Sequence, residues 1–344
     1  MIFFFILLLL VPLLTIKRRT KEDGEIFDSF STTCLKGVIC LFVMFHNLGL
    51  DYEGNSEIME LICEHAGGVG VGLFFFLSAF GIVRSYQKKG NKYLIRLLFV
   101  HIPRLYLISV GINLLTYFVF FKGQFETNDL LLRIFNLDVF NNFNRMNRHG
   151  WYIPTIIGMY LIFALIYFVC SKLKTNKRFL IAGIILASIA VLFRVGAQIA
   201  DQGGMYTREM PTFAIGVMYA LFYDKFNAFF NKHFWPTLIV SFILMWIGFF
   251  LYEPLSTYSA AFFLIIISQR VSYKNKTTHF LGKICLSIYL TLHFSSLVLQ
   301  PYLTNEFLWM VLNAGLIIGL SMMIYGIELV IRKIFSLLKE KQTT

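Results

Sequence analysis

His46 is the residue whose type and setting point most directly to chemistry, because it ends an otherwise apolar run, KGVICLFVMFHN over residues 36–47. In a water-poor site a neutral imidazole takes a proton from a hydroxyl near working pH, so His46 reads as a general base for acyl transfer or as a group that itself carries the acyl unit. Lys36 opens the same run. On a helix the two lie about 15 Å apart along the axis and miss a shared face by about 80°. Arg96, His101, Arg104, Arg194, Lys283, His293 and Glu328 also fall in apolar surroundings. Each costs about 2.5–3.5 kcal/mol to insert into a bilayer, which marks a candidate site residue unless the side chain snorkels from a helix end. Snorkelling serves equally for Lys36, Arg96, Lys283 and Glu328.

The basic stretch Arg84, Lys88, Lys89, Lys92, Arg96, His101 and Arg104 suits the phosphates of an anionic donor, with Arg offering bidentate contact. Membrane topology alone also accounts for the loop lysines. Before it comes GGVGVGLFFFLSAFGI, 67–82, whose glycines permit close helix packing or the passage of an acyl chain. Its spacing matches no Walker or dinucleotide fingerprint. Cys34, Cys40, Cys63, Cys170 and Cys285 have no metal-ligand spacing and read as buried free thiols, so no metal is expected.

The elements that must position these residues are apolar. The chain has 344 residues, 57% hydrophobic and 15% charged, against about 25% charged in soluble domains, which excludes an ordinary soluble globule. Apolar runs occur at about 2–16, 33–50, 66–83, 93–121, 151–170, 179–195, 211–223, 234–252, 254–269, 280–299 and 307–330. They predict an all-α polytopic membrane bundle of 10–11 transmembrane helices, with 2–16, 211–223 and 254–269 shorter than the ~20 residues of a perpendicular span. The first run lacks a basic leader and a small-residue cleavage site and precedes Lys17, Arg18, Arg19 and Lys21, so it reads as an uncleaved anchor with its N-terminus outside. Threading from there places 21 Lys and Arg in the loops of one side and 5 in those of the other, which carry 12 of the 19 acids. By the positive-inside rule the basic side, with the C-terminus, is cytoplasmic. The net charge of +12 then reflects orientation and anionic membrane lipid, not nucleic acid. The expected division is an N-terminal anchor and basic loop, 1–32, a membrane domain, 33–330, and a cytoplasmic basic tail, 331–344, in the plasma membrane.

Four stretches in order resemble the acyltransferase 3 family of membrane acyltransferases, which includes O-acetyltransferases of surface polysaccharides. KGVICLFVMFHN, 36–47, resembles the family's first motif, and GVGLFFFLSAFGI, 70–82, its Gly-rich segment. HGWYIP, 149–154, is similar to a later helix start, and LGKICLSIYLTLH, 281–293, to the C-terminal motif. The chain departs from the pattern in having Lys36 for Arg, Asn47 at the usual His position with His46 one residue earlier, and His101 and Leu107 for Arg and Pro in HIPRLYL, 101–107. Its C-terminal His lies four residues after Tyr289 instead of three.

The resemblance implies acyl transfer, usually acetyl, from cytoplasmic acyl-CoA (acetyl-CoA) to a hydroxyl of a cell-surface or exported polysaccharide. It gives His46 and Lys36 as catalytic, and Arg84, Arg96, His101, Arg104 and Ser78 as donor-binding. On the acceptor side it gives His149, Trp151, Tyr152, Arg208 (in TREMPTFAIG, 207–216), Tyr289 and His293. Polysaccharide biosynthesis proteins are the expected partners. The rival reading is a transporter or flippase of a polysaccharide or lipid-linked sugar, although no pair of matching interrupted helices is visible. A structural partner of a glycan synthase is a third.

Overall fold

In the computed structural model the chain is helical almost throughout. The structure describes residues 10, 14, 16–20, 23–51, 57–137, 147, 150–175, 177–199, 207–300 and 305–341, without the side chains of 57–59, 306 and 331–341. Among them run twelve helices: α1 (Ser29–Asp51), α2 (Glu57–Lys89), α3 (Asn91–Phe121), α4 (Thr127–Ile134), α5 (Tyr152–Ser171), α6 (Arg178–Ile199), α7 (Met210–Leu221), α8 (Tyr223–Lys232), α9 (Phe234–Leu251), α10 (Glu253–Ile267), α11 (Lys276–Leu299) and α12 (Glu306–Lys341). Eight are long and apolar enough to cross a bilayer, and α7 and α10 are shorter apolar helices. These ten correspond to the apolar runs from residue 33 onward. The anchor expected at 2–16 lies almost entirely outside the described residues. The predicted basic tail is helical in its described part, since α12 continues to Lys341.

Two of the helices start where a short polar residue holds a first N–H group. Asp28 Oδ1 accepts from Ser31 N at 2.7 Å ahead of α1, and Asn275 Oδ1 accepts from Thr277 N at 2.7 Å ahead of α11, which satisfies donors that a helix leaves unpaired. α1 lies between α2 and α11. Gly37 and Gly282 let α1 and α11 touch backbone to backbone, because a Cβ on either would overlap a carbonyl oxygen of the other helix. Large apolar side chains such as Phe99, Leu107, Trp235, Val240 and Phe250 point outward, as a lipid-facing surface requires. One π-helical turn, Leu97–His101, interrupts α3, and a second, Tyr117–Phe121, ends it.

The loops segregate to two ends. At one, β1 (Lys17–Arg18) pairs antiparallel with β2 (Val271–Ser272), Lys274 Nζ binds Asp28 at 2.7 Å, and Lys88 meets Glu25 at 3.4 Å; we call this the basic end. His46, Gly67, Arg208 and Glu253 occupy the opposite, far end. The ladder was not expected, because two residues per strand are too few to display a period of two.

In the polar stretch 122–150, the described residues 122–137 and Asn147 are not simply an exposed loop. α4 folds back along α3, where Asn113 Nδ2 donates to the Arg133 and Ile134 carbonyls at 3.2 and 3.1 Å, and Asn136 Nδ2 donates to Ser109 Oγ at 2.9 Å. Asn113 is eight residues, about 12 Å, from the far end of α3. Asn147, 4% exposed, donates to the Leu290 carbonyl halfway along α11. The asparagines supply the hydrogen bonds that let irregular backbone enter the helical body.

Candidate active site

His46 is half-buried on α1, and its Nδ1 lies 2.7 Å from the Cys63 carbonyl oxygen. A carbonyl oxygen only accepts, so Nδ1 carries a hydrogen, and in the neutral ring the lone pair is then on Nε2, the tautomer that a general base needs. Gly67 on α2 makes room for the ring, since a Cβ there would stand 2.5 Å from His46 Cδ2. Asn47 is buried and turns back on its own helix, donating to the Val43 carbonyl at 2.7 Å. Of the two adjacent polar residues, His46 is the one that faces α2.

A cavity of about 130 Å³ opens between α1, α2, α3, α5 and α11, with Lys36, Ser78, Tyr152, Tyr160, Cys285 and Tyr289 as its polar wall. Val43 and Val71 also line it. From Lys36 to Val43 is seven residues, about 10 Å along α1, and both valines lie about one helical turn from His46 and Gly67. The cavity therefore lies inside the bundle, from Lys36, about 10 Å along α1 from its start at Ser29, to one turn short of the histidine. Tyr152 packs against Tyr289 and Phe75 with ring centroids 5.6 and 5.1 Å away, and Ser78 lines the same cavity as Tyr152 and Tyr160. Residues expected on the donor side (Ser78) and on the acceptor side (Tyr152, Tyr289) thus share one cavity with Lys36. His46 stands beyond its end.

The expected phosphate clamp does not converge. Arg104 pairs with Glu328 of α12, Nη2 to Oε2 at 2.7 Å, and with Lys36 lies within electrostatic reach of Cys285. Arg84 faces Glu25 at 3.7 Å and stacks over Tyr223 at 4.7 Å. Arg96 is exposed, and half-buried His101 has its ring 6.4 Å from Tyr93. Trp151 meets Tyr152 edge-on at 6.4 Å, and His293 is half-buried one turn beyond Tyr289 on α11. His149 lies outside the described residues.

At the far end, Arg208 Nε binds Glu209 Oε1 at 2.6 Å and Nη1 binds Glu253 Oε2 at 2.8 Å. The Tyr258 hydroxyl donates to the Arg208 carbonyl at 3.0 Å. Glu209 is only 1% exposed; burial pushes its carboxyl above the ordinary value, while the Arg208 guanidinium pulls it back. Glu253 and Arg208 press on Gly68, the residue after Gly67, so His46 and this ion-pair cluster meet adjacent residues of α2. Sequence reasoning counted Glu209 and Glu253 as ordinary loop acids, and it left Tyr160 and Cys285 out of the site. The one available signal was Glu209 directly following a candidate Arg.

Among the described residues no group of His, Cys, Asp and Glu is arranged to hold a metal ion. In comparisons with known proteins, a family model described as an acyltransferase domain matches residues 31–329. No curated protein and no solved structure matches the chain.

Proposed function

Since the chain belongs to the acyltransferase 3 family, we propose that this multi-pass membrane acyltransferase moves an acetyl group from cytoplasmic acetyl-CoA to a hydroxyl of a cell-surface or exported polysaccharide. The basic end then faces the cytoplasm. The acyl-pantetheine arm enters the cavity at Lys36 and reaches toward Val43. Lys36 is about 15 Å along α1 from His46, so it holds the donor and does not share a reacting carbonyl with the base. At the far end Nε2 of His46 takes the proton of the acceptor hydroxyl. The hydroxyl oxygen attacks the thioester carbon, the C–O bond forms and the C–S bond breaks. The imidazolium returns the proton to the leaving sulfur, giving free CoA and the ester.

The observation that carries this reading is the His46 ring, whose Nδ1 is held 2.7 Å from the Cys63 carbonyl oxygen, one helical turn past the end of the cavity. Radiolabelled acetyl-CoA supplied to inside-out vesicles tests it. Wild type should label glycan and His46→Ala should not. Equal labelling removes His46 from the chemistry; no label with unlabelled glycan crossing the bilayer replaces the reading with transport.

A further inference from the structure

The far-end cluster holds three buried acceptor atoms that no donor fills among the described residues. His65, 7% exposed, has Nδ1 2.9 Å from the Leu61 carbonyl, so its Nε2 carries a lone pair, and that atom is buried without a partner. Glu209 Oε2 and Glu253 Oε1 are likewise buried and unpartnered. His65 and Gly68 are three residues apart on α2 and share a face. A Cβ on Gly68 would stand 3.1 Å from Glu253 Oε1, 3.3 Å from Thr257 Oγ1 and 3.6 Å from Arg208 Nη2. Two side chains with an unfilled acceptor, His65 and Glu253, therefore lie along one stretch of α2, beside the residue that seats His46, and Arg208 joins Glu209 to them.

A ligand that completes such a site must bring donors. These residues do not surround a common metal position. An anion would meet three acids, Glu209, Glu253 and Glu64, against the guanidinium of Arg208 and that of Arg194, which acts with Arg208 on Tyr258. Hydroxyl groups satisfy both conditions. The Arg208 and Glu253 side chains, 31% and 24% exposed, can be reached from the far end, while buried Glu209 fixes the guanidinium from beneath. We infer that Arg208 and Glu253, backed by the buried Thr257, Glu209 and His65, form a subsite for the hydroxyls of a neutral sugar and present one neighbouring hydroxyl to His46. This rests on the acyl-transfer reading, which supplies the role of His46.

The test uses the full chain in proteoliposomes with radiolabelled acetyl-CoA and, as probe, envelope glycan from cells lacking the protein, split by anion exchange into neutral and acidic fractions. Label should enter the neutral fraction. Glu253→Gln and Thr257→Val should each raise the KM for neutral glycan about ten-fold and leave the KM for acetyl-CoA unchanged. Gly68→Ala, which crowds Glu253 without removing a polar group, is the control should Glu253→Gln not fold, and it should move the acceptor KM alone. Label in the acidic fraction overturns the inference, as do acceptor KM values within two-fold of wild type. If wild type labels no glycan at all, it is the acyltransferase reading that fails.

Discussion

Gly67→Ala should silence the protein without unfolding it. The added methyl would stand 2.5 Å from His46 Cδ2, and closer still to Cγ and Nδ1, where an ordinary contact begins at 3.4 Å. The ring must therefore move by about 1 Å. That movement breaks the 2.7 Å hydrogen bond from Nδ1 to the Cys63 carbonyl and turns Nε2 away from the acceptor. A misplacement of about 1 Å costs about 10²-fold in rate. Alanine is favoured over glycine within a helix by about 0.5–1 kcal/mol, which offsets part of the packing strain and keeps α2 intact. The assay is acetyl transfer per mole of purified, monodisperse protein, with thermal stability recorded alongside. A variant as stable as wild type with activity within two-fold would refute the claim that the seating of His46 controls the chemistry.

His46→Gln, which can still donate to the Cys63 carbonyl but cannot act as a base, should lose about 10²–10⁴-fold in kcat with little change in the KM for acetyl-CoA, measured by initial rates. Lys36→Met should do the reverse, raising the acetyl-CoA KM while the glycan KM stays constant. Asn113→Leu removes the side chain that pins α4 through two carbonyls and should lower stability by about 0.6–1.7 kcal/mol in a denaturation series in detergent. Asp28→Ala loses the cap of α1 and should cost about 0.5–2 kcal/mol. Burial opposes ionisation of Asp28, but Lys274 and Ser31 outweigh it and hold the carboxyl below its ordinary value; the Thr20 N–H leads the effects that do the same for Asp23. Their stabilisation is thus complete above the ordinary carboxylate range and is lost as pH falls through their lowered values, so below about pH 4 wild type should approach Asp28→Ala in thermal stability.

Most of the bundle was legible because hydropathy alone marks a span: the ten apolar runs after residue 33 return as eight long helices and the two short ones, α7 and α10. His46 was legible for the same reason, as a titratable group in an apolar run. Its orientation was not, because the spacing from Lys36 gives a direction on α1 but says nothing of α2, where Gly67 and the Cys63 carbonyl decide it. α4 and the setting of Asn147 carry no such signal, since asparagine-rich sequence looks alike in water and when its amides are spent on buried carbonyls. Pairings such as Arg104 with Glu328, 224 positions apart, carry no local signal in a single sequence. The separation of Arg84 from the cavity likewise follows from Glu25 and Tyr223, partners that only the fold brings near.

The central claim is that an acyl group enters at the basic end and leaves on a hydroxyl beside His46 at the far end. Sealed proteoliposomes of uniformly oriented protein test it, with labelled acetyl-CoA on the basic side and glycan confined to the other. Label should appear on the glycan across the membrane, in wild type and not in His46→Ala. Label that reaches glycan only when donor and acceptor share a side, or that persists in His46→Ala, would contradict it.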